Sequence, residues 1–163
     1  MPFESITDSK ITELISMPKR VKNPGVRSKT KEGHEQYNYK VCSTETDEYE
    51  FELFTRQNSR EGMEDSFSCG INWLAPNGES FPLKRYNGPS HNHPNALENE
   101  KLGYVCHVHI ATEKYLKANL KPTGFAIKTT QYSTLPGALH CLVNDCNIMG
   151  ISTVPDQPKL FEL

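Results

Sequence analysis

The feature that most restricts how this chain can fold is the return of an apolar residue at every second position in its middle third. Tyr49, Phe51 and Leu53 alternate with Glu50 and Glu52, and Phe67, Cys69, Ile71 and Trp73 alternate with Ser68, Gly70 and Asn72. An extended chain sends successive side chains to opposite faces, so each run predicts a strand with one face in a core and the other in water. Asn77-Gly78 separates the Trp73 run from the run Phe81 to Tyr86. Both residues tolerate positive φ, which predicts a tight antiparallel hairpin there.

Helical spacing occurs near both ends. Thr7 or Asp8 can cap a helix carrying Ile11, Leu14 and Ile15 and ending before Pro18. Thr134 precedes Pro136, and Leu135, Leu139, Leu142, Val143 and Cys146 form an apolar stripe, the pattern of a capped amphipathic helix. The segment Thr112 to Leu120 predicts a short third helix. With 163 residues there is chain for one core. The fold class expected is α+β: a single domain, with a twisted, largely antiparallel sheet of about five strands and an N-terminal and a C-terminal helix packed on it. Residues 1–18 form the N-terminal helix in this reading, 19–36 a basic linker, and 37–163 the sheet, the histidine motifs and the C-terminal helix.

The net charge of −2 conceals a segregation. Lys19 to Lys31 holds six basic residues and no acid, whereas Glu45 to Glu52 and Glu61 to Asp65 concentrate carboxylates. The basic stretch suits either a solvated linker or an arm for phosphate groups. Five cysteines without a Cys-x-x-Cys spacing argue against a disulfide framework and a zinc ribbon. No run of about 18 apolar residues and no signal-peptide pattern is visible, so a cytoplasmic protein without a membrane span is expected.

Four of the six histidines, His91, His93, His107 and His109, fall in one short stretch just after Arg85. Alternation from Tyr104 to Ala111 puts Tyr104, Cys106, Val108 and Ile110 on an apolar face and leaves His107 and His109 side by side on the other. Gly88, Pro89 and Pro94 predict a restricted loop able to hold His91 opposite that pair. His93 reads as an exposed loop residue, His34 as solvated, and His140 as a residue of the core boundary. Trp73 belongs with the core.

The order Leu83, Arg85, Gly88-Pro89, His91, Pro94-Asn95, then His107-Val108-His109-Ile110 with Glu113 and Tyr115, resembles an uncharacterised bacterial family of small proteins with paired histidine motifs. More distantly it is similar to the TumE family of toxin-antitoxin toxins. There a strand ending in Arg-Tyr-Asp-Asn leads to a Pro-His pair and a late His-x-His. Arg85, Tyr86, Asn87, His91, His107 and His109 match that pattern, over about the central and C-terminal two-thirds of the chain. Asn87-Gly88 stands where an aspartate is usual, and His93 where an asparagine precedes the proline. The resemblance implies a toxin-like protein of a toxin-antitoxin or mobile-element system, and with it a cognate antitoxin.

Two or three histidines with an arginine, and neither a carboxylate pair nor a Ser-His-Asp order, suit metal-free cleavage of RNA. His107, His109 and His91 would be the acid and base, Arg85 the stabiliser of phosphorane charge, and Arg56, Lys84, Lys114 and Tyr115 the RNA-binding residues. No cofactor is required on that reading. The alternative is a divalent metal such as zinc on His91, His107 and His109, in a hydrolase or an oxygenase. A third reading is a non-enzymatic inhibitor or nucleic-acid binder, with the acidic run docking on a basic partner. The oligomeric state is not legible in the sequence.

Overall fold

Thr7 caps the first element as expected, its hydroxyl accepting from the Lys10 amide, and the helix α1 (Asp8–Ser16) buries Ile11 and Leu14. The chain is described here from a computed structural model covering residues 6–46 and 48–156. Residues 1–5 and 157–163, assigned above to the ends of the domain, lie outside the described residues, as does Asp47 of the acidic run. The architecture is α+β, one domain with three helices and a mostly antiparallel open sheet.

The sheet is larger than the alternating runs predict. Beside β4 (Glu50–Asn58), β5 (Phe67–Leu74) and β6 (Ser80–Asn87) stand β1 (Lys19–Val21), β2 (Lys29–Lys31), β3 (His34–Ser43), β9 (His107–Ile110), β10 (Phe125–Lys128) and β11 (Ile148–Met149). The order is β10-β9-β6-β5-β4-β3-β1-β11, with β2 also on β3, which makes nine strands instead of five. Only the pair β1–β11 is parallel among the pairings of this sheet. A separate hairpin joins β7 (Pro94–Asn95) to β8 (Glu100–Lys101).

Most of the added strands are two to four residues long, too short for a readable alternation, and β2 is exposed at all three residues; β3, ten residues long, does alternate at Tyr37, Tyr39 and Val41. The stretch 19–36 is therefore not a linker. Its two short strands flank successive parts of β3, Lys29–Lys31 against Gln36–His34 and Lys19–Val21 against Ser43–Val41.

Asn77-Gly78 forms the β5–β6 turn, with Gly78 at φ 86° and the Asn77 side chain accepting from the Glu79 amide. One face of the sheet is covered by α1 and by α3 (Leu135–Asp145), which Thr134 caps. Leu14, Phe51, Leu53, Cys69, Ile71, Phe81, Leu83, Leu142 and Cys146 are almost wholly buried between them. A lysine sits in the same layer. Lys19 is fully buried, and its ammonium donates to the carbonyls of Ile15 at 2.6 Å, Met17 at 2.9 Å and Cys146 at 2.8 Å, tying the C-terminal ends of α1 and α3 together. Burial lowers its pKa to about 8.

None of the cysteines is in a disulfide, and Cys69, Cys106 and Cys146 are buried with pKa raised by desolvation, as befits small apolar fillers. No helix among the described residues is long and apolar enough to cross a membrane.

Candidate functional site

The histidine strand has the predicted inner face but a different outer one. Cys106 and Val108 are in the core, whereas Tyr104 lies before the strand begins and is 72% exposed. His107 and His109 do share the opposite face, yet that face is not solvated: they are 0% and 1% exposed. The segment 88–103 covers them.

Local chemistry fixes that cover. Gly88 lets the chain leave β6 close to its neighbours, since a Cβ there would lie 2.3 Å from the Asp65 carbonyl oxygen and 2.7 Å from the Phe67 ring. The β7–β8 hairpin then docks on the edge strand β10 through one side chain. Asn95, fully buried, donates to the Ala126 carbonyl at 2.9 Å and accepts from the Ala126 amide at 2.9 Å. The Tyr115 hydroxyl, on the short helix α2 (Glu113–Lys117), donates to Glu98 at 2.6 Å and accepts from the Leu97 amide at 3.2 Å. The hairpin is held from two sides.

Under it the imidazoles converge. The ring centroids of His107 and His109 are 5.0 Å apart, His93 lies 5.6 Å from His107 and 4.5 Å from His109, and His91 meets His107 edge to face at 5.1 Å. Ligand nitrogens of His93, His107 and His109 all lie within 4.8 Å of one another. Each of these three rings also has one nitrogen against a backbone carbonyl: His107 Nδ1 on Val105 at 2.9 Å, His109 Nδ1 on Thr123 at 2.8 Å, His93 Nε2 on Gly124 at 2.7 Å. A carbonyl can only accept, so the nitrogen facing it carries a proton, and in a neutral ring the other nitrogen keeps its lone pair. For His107 and His109 that other atom, Nε2, is buried with no hydrogen-bond partner among the described residues.

Two further polar atoms are buried without a partner, Arg85 Nε and Asn87 Oδ1. They belong to the residues paired directly across the ladder with His109 and His107, respectively. Four orphaned polar atoms on one patch of sheet mark a place built for something polar.

Electrostatics follow the burial. Desolvation, then the nearby Arg85 charge, lowers His109 to about 3. Burial lowers His107 despite the opposing hydrogen bond to Val105, and burial with the charges of His93 and Arg85 lowers His91. His91, His107 and His109 are thus held as neutral imidazoles at neutral pH.

The other residues expected at the site divide. Arg56 lies on the same face of the sheet and lines, with His34, Ser66, Ser68, Asn87, Ser90 and His91, a depression of about 170 Å³. Lys84 faces the helices instead, 3.6 Å from Asp145 of α3 and over the Tyr86 ring. Lys114, exposed, forms an ion pair with Glu98 at 2.5 Å, and Tyr115 is buried at 2% exposure, so both contact the hairpin segment through Glu98. His34 is half-buried in β3 beside that depression, and His140 contacts Thr153 at 2.9 Å and Asn144 at 3.1 Å on α3.

His93 is the residue that sequence reasoning set aside and the fold brings in. A usable signal was present: a residue before proline is driven to extended backbone, which gives His91 and His93 the same i, i+2 relation as His107 and His109. No protein-family model matches the chain, and neither a curated protein nor a solved structure matches it.

Proposed function

We propose that His93, His107 and His109 form a transition-metal centre, and that the protein is a metal-dependent phosphodiester hydrolase acting on RNA. The observation that carries this reading is the orientation of the rings. Each ring has one nitrogen on a backbone carbonyl, one nitrogen from each lies within 4.8 Å of one from each of the others, and the Nε2 atoms of His107 and His109 are buried without a partner among the described residues. Neutral nitrogen donors with a carbonyl-bound second nitrogen suit zinc best, and three protein ligands leave a coordination position for water. Such a metal would lower the pKa of that water and polarise a phosphoryl oxygen.

The remaining residues supply binding. Arg85, directly opposite His109, has an unpartnered buried Nε and carries the charge suited to a phosphate oxygen. His91, exposed at the mouth and in ring contact with His107, is available to move a proton to or from the leaving oxygen. The similarity to TumE-family toxins supports RNA as the substrate, the cytoplasm as the place and a separate antitoxin protein as the partner.

Metal-free cleavage by paired histidines is the second reading, and the exposed position of His91 beside His107 favours it. It needs one imidazolium as the acid, and burial works against that at His91, His107 and His109.

Elemental analysis of protein purified without an affinity tag, with cleavage of an RNA substrate assayed before and after dialysis against EDTA, decides between them. The expected result is about one metal per chain, lost in His93→Ala, His107→Ala and His109→Ala but kept in His91→Ala. RNA cleavage that persists undiminished in EDTA would overturn the metal centre and leave the acid-base reading.

A further inference from the structure

The site lies at one end of a polar row on the helix-free face of the sheet, whose first two members, His107 and Asn87, are buried beside the segment 88–103 and whose remainder is open. Direct cross-strand partners run His107 (β9), Asn87 (β6), Ser68 (β5), Arg56 (β4), Gln36 (β3), Lys29 (β2). Side chains directly opposite on neighbouring strands share a face, so these six stand in one line. The line contains no carboxylate. Neither Arg56 nor Lys29 forms an ion pair among the described residues, and both are exposed.

The neighbouring row adds a flat apolar element. It runs His109, Arg85, Gly70, Phe54, Asn38, and the Phe54 ring lies so close over Gly70 that a Cβ there would be 2.9 Å from it. Phe54 is only half-buried, on the face away from the helices.

Two depressions lie along the line. The smaller, already described, includes Arg56 and His91; the larger, about 740 Å³, is lined by Lys22, Arg27, Lys29 and Lys40 and also by Glu50 and Glu52, with Glu52 directly across the ladder from Lys40. Lys22, Arg27 and Lys29 of the basic segment thus line a groove that meets the row at Lys29, its far end from the histidines.

We propose that this face is the track for one extended single strand of RNA, with the scissile phosphate at Arg85 and the histidines and the backbone following Asn87, Ser68, Arg56 and Gln36 to Lys29. The large groove then holds a nucleotide remote from the reaction. This inference rests on the phosphodiester reading of the histidine centre. Five interstrand steps of about 4.8 Å give a row of about 24 Å, which matches roughly four nucleotides of extended strand. The row offers two cations, Arg56 and Lys29, to phosphates of such a strand and neutral hydrogen-bonding groups between, and Phe54 offers a base a π-face without regard to its identity. The substrate is therefore single-stranded and is chosen by length more than by sequence.

Fluorescence anisotropy with 5′-labelled oligouridylates of three, six and nine nucleotides, in EDTA so that metal-dependent cleavage is silent, tests the track. Affinity is expected to rise steeply from three to six nucleotides and then level off. The double variant Arg56→Ala, Lys29→Ala is expected to lose that length dependence and to reduce the slope of log K against log salt by about 1.4, since each phosphate contact on a single strand contributes about 0.7. Lys117→Ala, on α2, is expected to match the parent. Both substituted side chains of the double variant are exposed, and an unchanged thermal midpoint shows that the fold is intact. Equal affinity for three and nine nucleotides, unaltered binding by the double variant, or tighter binding of duplex than of single strand would each overturn the track. Length-dependent binding without hydrolysis under any metal would uphold the track and defeat the reading of the centre. Hydrolysis of a dinucleotide with no length dependence would do the reverse.

Discussion

His109 lies directly opposite Arg85 across the β9–β6 ladder, and both side chains present a buried nitrogen that no described residue satisfies. A cation placed beside a buried imidazole keeps that imidazole neutral, and a neutral imidazole with its Nδ1 on the Thr123 carbonyl has only a lone pair to offer at Nε2. Two register pairs along on the same face, His107 stands opposite Asn87, whose Oδ1 is likewise buried without a partner among the described residues.

Metal retention has a thermal signature. A ligand bound to the folded state alone at 100 times its Kd stabilises it by about 2.7 kcal/mol. EDTA is expected to lower the melting temperature of the parent protein and to leave that of His109→Ala where it was. Differential scanning calorimetry on both, with and without zinc added back, checks this; an EDTA effect of the same size in both proteins would remove the histidines from the metal site.

Acid should destabilise the metal-free protein. His109 has a folded pKa of about 3 against an ordinary value of 6.5, so between those pH values the unfolded chain binds the proton that the folded one refuses. Stability therefore rises with pH across that window and is lost on acidification from 6.5 toward 3, with a slope of at most about 1.4 kcal/mol per pH unit from this group. His107 and His91, also lowered, act in the same direction. Urea midpoints at pH 7 and pH 5 are expected to fall with acid in the parent and to fall less in His109→Gln; equal falls would show that other groups carry the acid response.

Asn95 couples the hairpin to the edge of the sheet. Its amide makes both bonds to Ala126 and a third to Glu100 at 2.8 Å. Asn95→Ala strands the Ala126 amide and carbonyl and is expected to cost about 1–3 kcal/mol. Because His93 rides on the same hairpin, chelator competition should show metal affinity down by about 10- to 100-fold, the range found when outer partners of a metal site are removed. Unchanged affinity in a folded variant would mean that His93 is not a ligand.

Lys19→Met tests the buried ammonium. Methionine has similar length and no donor, so the carbonyls of Ile15, Met17 and Cys146 would lose their partner where α1 and α3 end. A loss of about 3 kcal/mol in urea unfolding is expected. A variant as stable as the parent would show that water replaces the ammonium there.

The elements that could be read from the chain are those whose signals are local. Thr7 and Thr134 cap α1 and α3, Asn77-Gly78 turns β5 into β6, and the alternation through Phe51, Leu53, Cys69 and Ile71 names the core face. The short strands escaped because three residues such as Lys29–Lys31, exposed throughout, carry no period, and they are strands only because β3 is there to pair with them. That Lys84 turns toward the helices is hidden for a related reason. Pairing shifts between Ile71 and Asn72, and that irregularity is invisible to a count of alternate residues.

The sequence by itself determined that His107 and His109 share one side of a strand, that Arg85 precedes them on another, and that amphipathic helices lie near residues 8–16 and 135–145. These follow from periods of two residues and of about three and a half, which any short segment contains. Only the tertiary structure decided that the histidine face is buried, that His93 joins it through Asn95 and Gly124, and that Tyr115 and Lys114 contact the hairpin segment through Glu98. Those outcomes depend on which elements pack side by side, and hydrogen bonds between residues about 30 positions apart leave no mark in a local pattern.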